Sequence, residues 1–351
     1  MAASSRFVAI ALVVVLAGAS VLAVLGNSGQ DSPTPPPSGE PSPATGALYV
    51  SGDTLQRVDL DSGEARAIGR TPTNDLHASP STPWIAYVVS GDGAEGEEDI
   101  LAEPELRTIN LETGVTTEIG PGFRPLWHPI ASRFAYLRPL GGRRCSGESC
   151  SGLLEVVVHD ADTQETVVLT EPGRFNPLAW SGPRLLVADE SDLSATLSLG
   201  MGTDVERLEI EPSDLWGASP DGRWILRSVP GAATLMDLES GAKRNWDVSH
   251  GVLAEGAWSP DSKQIVAAVL NEARTKTRAV LIDVPRGGVR EITSELPGII
   301  DITWDRDASR FGFLTFVGRS NRTELNVCSS EDGRCETVGQ PLRRALLLRF
   351  E

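Results

Sequence analysis

Ala257-Trp258-Ser259-Pro260-Asp261-Ser262-Lys263-Gln264-Ile265-Val266 reads as the end of one strand, a tight polar turn and the start of the next. The phrase recurs. Ala218-Ser219-Pro220-Asp221-Gly222-Arg223-Trp224-Ile225-Leu226 is a second sharp copy. Trp304-Asp305-Arg306-Asp307-Ala308-Ser309-Arg310-Phe311 and Trp127-His128-Pro129-Ile130-Ala131-Ser132-Arg133-Phe134 keep the frame with other polar residues. Ala78-Ser79-Pro80-Ser81-Thr82-Pro83-Trp84 and Trp180-Ser181-Gly182-Pro183-Arg184-Leu185 are weaker. With the serine or its equivalent as marker, the positions are 79, 128, 181, 219, 259 and 305, so the intervals are 49, 53, 38, 40 and 46 residues. A four-stranded propeller blade takes roughly 40–50 residues, which fits.

A second phrase runs in counterphase. Val58-Asp59-Leu60-Asp61-Ser62-Gly63-Glu64, Ile109-Asn110-Leu111-Glu112-Thr113-Gly114 and Met236-Asp237-Leu238-Glu239-Ser240-Gly241 are near copies. His159-Asp160-Ala161-Asp162-Thr163-Gln164 and Ile282-Asp283-Val284-Pro285-Arg286-Gly287 follow more loosely. Each is a strand followed by a turn in which glycine supplies a positive φ. Every unit therefore holds an inner hairpin at the first phrase and an outer hairpin at the second. The outer phrase at 58–68 precedes any inner one, and six full units follow. The apolar run Leu342–Phe350 then has no turn after it. The expected fold is all-β: a seven-bladed propeller of four-stranded blades over residues 47–351. The carboxy-terminal strand should pair with the amino-terminal blade, which removes exposed strand edges.

The Ser-Pro-Asp turns resemble the repeats of TolB and its WD-like relatives, most sharply at 219–226 and 258–266. The resemblance implies a propeller used as a binding platform. Nothing in the chain corresponds to the amino-terminal domain of TolB.

Residues 7–26 carry no charge and follow Arg6, so they predict a transmembrane signal anchor with residues 1–6 cytoplasmic and the propeller exported. Cleavage near Ala19 would instead release the protein. Residues 27–46 hold six prolines and read as a disordered, semi-extended linker. Four cysteines agree with export. Cys145 with Cys150, and Cys328 with Cys335, are read as two local disulfides, because their spacing and separate blades do not suit zinc.

The formal charge of the 351-residue chain is −17, of which the propeller carries −16. That excludes nucleic acid as a partner and disfavours anionic lipid surfaces. Trp127, Trp180, Trp258 and Trp304 share one repeat position and read as packing between blades rather than a ligand cage. His128 and His159 fall inside repeat elements and read as structural. The chain has no nucleophile elbow, metalloprotease helix motif or phosphate loop, and no cofactor is expected. The insertion 92–105 carries seven acids at irregular spacing, which does not suit a calcium loop.

The position four before each marker should lie near one mouth of the channel. It reads Asp75, Arg124, Pro177, Leu215, Glu255 and Asp301. Arg344 on the closing strand, with His77 and His250 beside neighbouring loops, completes the candidate ring. It could grip a small polar ligand or an envelope protein without chemistry. The alternative is a sugar or lactone hydrolase or lyase, calcium-assisted, which would need these groups to converge. The first reading is a monomeric binding propeller at the cell membrane.

Overall fold

The computed structural model describes residues 46–350 apart from 52–53, 71–74, 90–103, 141–144, 147–148, 151, 192–195, 203, 230–231, 248–250, 319–321 and 344. The predicted anchor at 7–26 and linker at 27–46 lie almost wholly outside the described residues. Among the described residues no helix is long and apolar enough to cross a membrane.

Seven antiparallel sheets of four strands each form the ring. The innermost strands are Asp75–Ala78, Phe123–Trp127, Phe175–Ser181, Leu215–Ala218, Gly251–Trp258, Ile299–Trp304 and Ala345–Phe350. The last belongs to blade 1, where it pairs with Gly46–Ser51 through Ala47↔Phe350 and Ser51↔Ala345. The ring is thus closed as the repeat count requires, with three strands of blade 1 from the start of the propeller and one from its end. The other innermost strands open blades 2 to 7 in chain order.

The second strand of each blade is buried on both faces. Gln264–Asn271 and Arg310–Phe316 each present five consecutive buried residues. Each such strand is covered by the blades on either side, which is why it reads as a continuous apolar run rather than an alternating one. The cores accordingly sit at the seams. Leu48, Val50 and Leu55 of blade 1 pack with Ile85 of blade 2. Leu226, Leu235 and Trp246 of blade 5 pack with Ile265 and Ile282 of blade 6. Phe311 and Phe313 are fully buried, and the Trp304 ring lies 5.2 Å from that of Phe311. Burying one such ring is worth about 2–3 kcal/mol.

The two repeated turns explain themselves atom by atom. All six marker residues are buried. Ser259 Oγ donates to Asp261 Oδ1 at 2.7 Å and accepts the Gln264 N–H at 2.9 Å. Ser219 repeats this with Asp221 and Trp224. In blade 7 the Asp305 carboxylate accepts the Arg310 N–H instead, at 3.0 Å. In the outer hairpins Asp59, Asn110, Asp160 and Asp237 each accept two backbone N–H groups through the side chain. Gln164, at φ 62°, takes the place that glycine holds elsewhere.

Because a blade is an antiparallel meander, inner turns and outer hairpins emerge on one side of the ring. Backbone bonds tie them together, as in Leu238 N–H to Arg223 O and Val284 N–H to Lys263 O. We call this side the turn face and the opposite side the loop face. Cys328 and Cys335 oppose one another across the outer hairpin of blade 7 and form the expected disulfide, with Cα atoms 4.0 Å apart. Cys145 and Cys150 oppose one another in an extra two-stranded ladder inserted in blade 3. Their side chains, and so their disulfide, lie outside what the structure describes.

Candidate functional site

The innermost strands line the channel and touch their neighbours around the ring. Among the described residues, six of the seven carry one extra residue relative to the strand beside them. The irregularities fall between Phe123 and Leu126, Pro177 and Ala179, Leu215 and Gly217, Leu253 and Glu255, and Ile300 and Thr303. The sixth is at Leu348, where Leu347 and Arg349 face Tyr49 and Leu48. A bulge bends its strand and re-aims side chains. Five of the six positions four residues before a marker lie at or beside these bulges; Asp75, on the regularly paired strand of blade 2, does not.

Two bulges place a charged residue in the left-handed region: Arg124 and Asp301, both at φ 53°. The other non-glycine residues with positive φ, Gln164, Ser262, Arg274 and Ala308, all sit in turns. A left-handed non-glycine residue costs about 1–2 kcal/mol, so the surroundings must hold it. For Asp301 the holder is Glu255. Its Oε1 accepts the Asp301 N–H at 2.5 Å, with the Ile302 N–H as second donor. Two successive N–H groups at a left-handed residue form a concave anion site, here filled by the protein's own carboxylate. Burial pushes the Glu255 carboxyl above the ordinary carboxylate range, and the two N–H donors offset this only in part. Arg124 Nη1 donates to Asn176 Oδ1 of the next blade at 3.1 Å.

The structure therefore brings Glu255 and Asp301 together across the seam of blades 6 and 7, and places Arg124 on the seam of blades 3 and 4. Asp75 and His77 lie on the innermost strand of blade 2. The Asp75 side chain, His250 and Arg344 are outside the described residues, as is the acidic segment 92–103. Among the described residues no group of three or more His, Cys, Asp or Glu is arranged to hold a metal. Sequence reasoning missed Asn176; an uncharged residue one before the expected ring position carries no signal of its own.

The remaining histidines are built into the frame. His128 Nε2 donates to Gly182 O of the next blade at 2.8 Å, while Nδ1 accepts the Ile130 N–H at 3.2 Å. The acceptor role of Nδ1 requires the neutral ring. Burial, then the nearby Arg133, lowers its pKa to about 4. His159 is buried between Thr166 and Phe134. The tryptophans bridge blades: Trp127, Trp180 and Trp304 donate Nε1–H to His77 O, Leu126 O and Ala257 O of the preceding blade at 2.6, 2.9 and 3.0 Å.

No protein-family model matches the chain, and no curated protein matches it in sequence. Solved structures do match in shape. A prolyl endopeptidase superposes with a TM-score of 0.59 at 13% identity, over 87% of this chain and 50% of that one. A Bacteroides uniformis protein assigned as a 6-phosphogluconolactonase gives 0.54 at 14% identity, over 88% and 99%. TolB from Acinetobacter baumannii gives 0.47 at 16% identity, over 87% of this chain and 66% of that chain, just under two thirds. The likeness to the first two is one of fold, in keeping with the seven four-stranded sheets of this chain.

Proposed function

We propose that the protein is a membrane-tethered, extracytoplasmic propeller that recognises an envelope protein or a small polar ligand at its loop-face mouth without catalysing a reaction. One observation carries the reading. The two charged mouth residues whose side-chain bonds are defined, Glu255 and Arg124, are each engaged with a neighbouring blade. Glu255 is occupied as a brace for a strained backbone, which suits a rigid rim better than a general base. The apolar stretch at 7–26 and the proline-rich stretch at 27–46 support a tether.

The second reading, a sugar or lactone hydrolase or lyase, is supported by size. The chain covers 99% of the lactonase-assigned structure, so one propeller has room for a whole enzyme of that kind. One experiment separates the two. The full chain, purified in detergent and stripped with chelator, is heated with and without calcium and assayed against sugar lactones. Binding without catalysis expects no turnover and no calcium-dependent rise in melting temperature, since a specific metal site would stabilise the native state by mass action. Turnover that disappears in Glu255→Gln would establish the enzyme instead.

A further inference from the structure

We infer that the seam between blades 6 and 7 carries, on the turn face, a docking pocket for a tryptophan side chain of a partner protein. The pocket depends on neither the channel mouth nor the tether.

The second strands of blades 2 to 7 begin with Trp84, Arg133, Arg184, Trp224, Gln264 and Arg310. In blade 1 the place belongs to Gly46, where an added Cβ would stand 2.9 Å from Arg57 Nε. An indole at this position lies in the seam with the next blade. Trp84 is buried and donates Nε1–H to Asp162 Oδ1, in the outer hairpin of blade 3, at 2.8 Å. Trp224 packs in the seam of blades 5 and 6. Gln264 is the one uncharged, non-aromatic side chain of the series, and beside it a cavity of about 410 Å³ is left open. Gln264, Leu281 and Asp283 wall it on blade 6, and Ser330 and Glu331 wall it on blade 7. Pockets that hold small ligands measure roughly 300–1,000 Å³.

The filled copies show what fits. One repeated backbone bond aligns the outer turns: Ala161 N–H to Ser132 O in blade 3, and Ser330 N–H to Ser309 O in blade 7. Glu331 therefore stands where Asp162 stands, so a carboxylate waits at the place that accepts the Trp84 indole. The seam of blades 5 and 6 supplies the second likeness. There Arg244 donates to the carbonyls of Val284 and Pro285. In the seam of blades 6 and 7 Arg290 donates in the same way to Ser330 O and Glu331 O, at 2.8 and 2.7 Å. The guanidinium bridge is repeated, but the tryptophan is not. Arginine already lies against indole elsewhere in the ring: Arg223 is 4.9 Å from the Trp224 centroid and Arg133 is 5.4 Å from that of Trp180. Leu281, almost fully buried, adds an apolar surface. A carboxylate for the N–H, with a guanidinium and a leucine for the ring, complement an indole better than they do a charged side chain. All eight tryptophans of the chain lie in propeller strands, so the occupant comes from another molecule. The exposed Val289, on the edge strand Gly288–Glu291, borders the cavity, which suits an extended segment that carries the side chain.

The test titrates the full chain, purified in detergent, with two fluorine-labelled probes followed by fluorine NMR: N-acetyl-tryptophanamide, and a pentapeptide with tryptophan at its centre. Both are expected to bind at millimolar concentration, the peptide at least as tightly as the amide. Gln264→Trp and Gln264→Arg place in blade 6 the side chains that other blades carry there, and each should abolish binding. Glu331→Gln, or a probe methylated at the indole nitrogen, should weaken it about tenfold by removing a charged hydrogen bond. Absence of binding to the parent chain, or undiminished binding to either Gln264 variant in folded form, would overturn the pocket. Binding of the amide without the peptide would overturn the partner protein as its source and leave a site for a free aromatic ligand.

Discussion

Trp180 of blade 4 donates its indole N–H to the carbonyl of Leu126 in blade 3 at 2.9 Å. The acceptor stands two residues before the marker of its own blade. The bonds of Trp127 to His77 and Trp304 to Ala257 follow the same rule. By that rule Trp258 should bond Gly217. Its Nε1 lies against Gly217 but is buried without a hydrogen-bond partner. One repeat position thus supplies three bonded seams and one that is only packed.

Replacing tryptophan by phenylalanine should separate these cases. Trp127→Phe, Trp180→Phe and Trp304→Phe each leave a carbonyl that has lost its partner at a seam, at about 1–3 kcal/mol beyond the packing loss. Trp258→Phe removes a buried N–H that bonds nothing and should cost less than any of the other three. Urea denaturation of the four variants, compared at constant m-value, checks this. A Trp258→Phe loss equal to that of Trp180→Phe would show that packing alone sets the cost.

Much of this was legible in advance because the turn chemistry is local. A serine that caps its own hairpin, as Ser259 does for Gln264, needs only the residues within the phrase. The tryptophan position was legible as a seam for the same reason: it sits at a fixed offset from that turn. The Leu197–Ile210 hairpin lacks the Asp turn, yet it forms, and Arg184 of the neighbouring strand pairs with Asp204 beside its turn. The bulges were not legible. Neither Arg124 nor Asp301 announces a left-handed backbone, and the groups that hold each lie 46 residues or more away in sequence. The spacing that located the mouth could therefore find the ring position but not who pairs with whom.

Gly256 is required for a reason that concerns space rather than φ. A Cβ there would run into the Trp216 ring, which comes from the bulge of blade 5, and into the carbonyl of Val266. Overpacking of this kind costs about 1–3 kcal/mol. Gly256→Ala should lower the melting temperature, and Trp216→Leu in the same chain should recover part of the loss. Recovery should be incomplete, because the Val266 carbonyl is backbone and cannot move aside. Full recovery in a double-mutant cycle would put the whole clash on the indole.

His128 gives the fold a dependence on pH. Its folded pKa is about 4 against 6.5 for a free ring. Between these values the unfolded chain binds a proton that the native ring does not, so stability rises with pH across this window and is fully present above it. The difference corresponds to at most about 3 kcal/mol, lost progressively as pH falls from 6.5 toward 4. Glu255 has the opposite sign. Its raised pKa means that the native state holds a proton longer than the unfolded chain, so its contribution declines as pH rises above 4.5. Denaturation midpoints of the parent, His128→Gln and Glu255→Gln between pH 4 and 8 should show the first variant flattening the acid slope and the second steepening it. An unchanged acid slope in His128→Gln would mean that the ring is not held neutral in the native state.

Removal of residues 345–350 should be far more damaging than an ordinary terminal truncation. The segment is the innermost strand of blade 1, and its loss exposes the edge of Gly46–Ser51 toward the channel. It also removes the strand paired with Leu48 and Val50, which are buried at the seam with blade 2. An open edge of this kind templates pairing with other chains. The expected outcome is a chain that aggregates on expression, rescued when a synthetic Ala345–Phe350 peptide is supplied during refolding. By contrast, reduction of the Cys328–Cys335 bond, which closes only a short hairpin, should leave the ring assembled, as judged by an unchanged sedimentation coefficient. Survival of the truncated chain as a folded monomer would show that blades 2 to 7 hold the ring without closure.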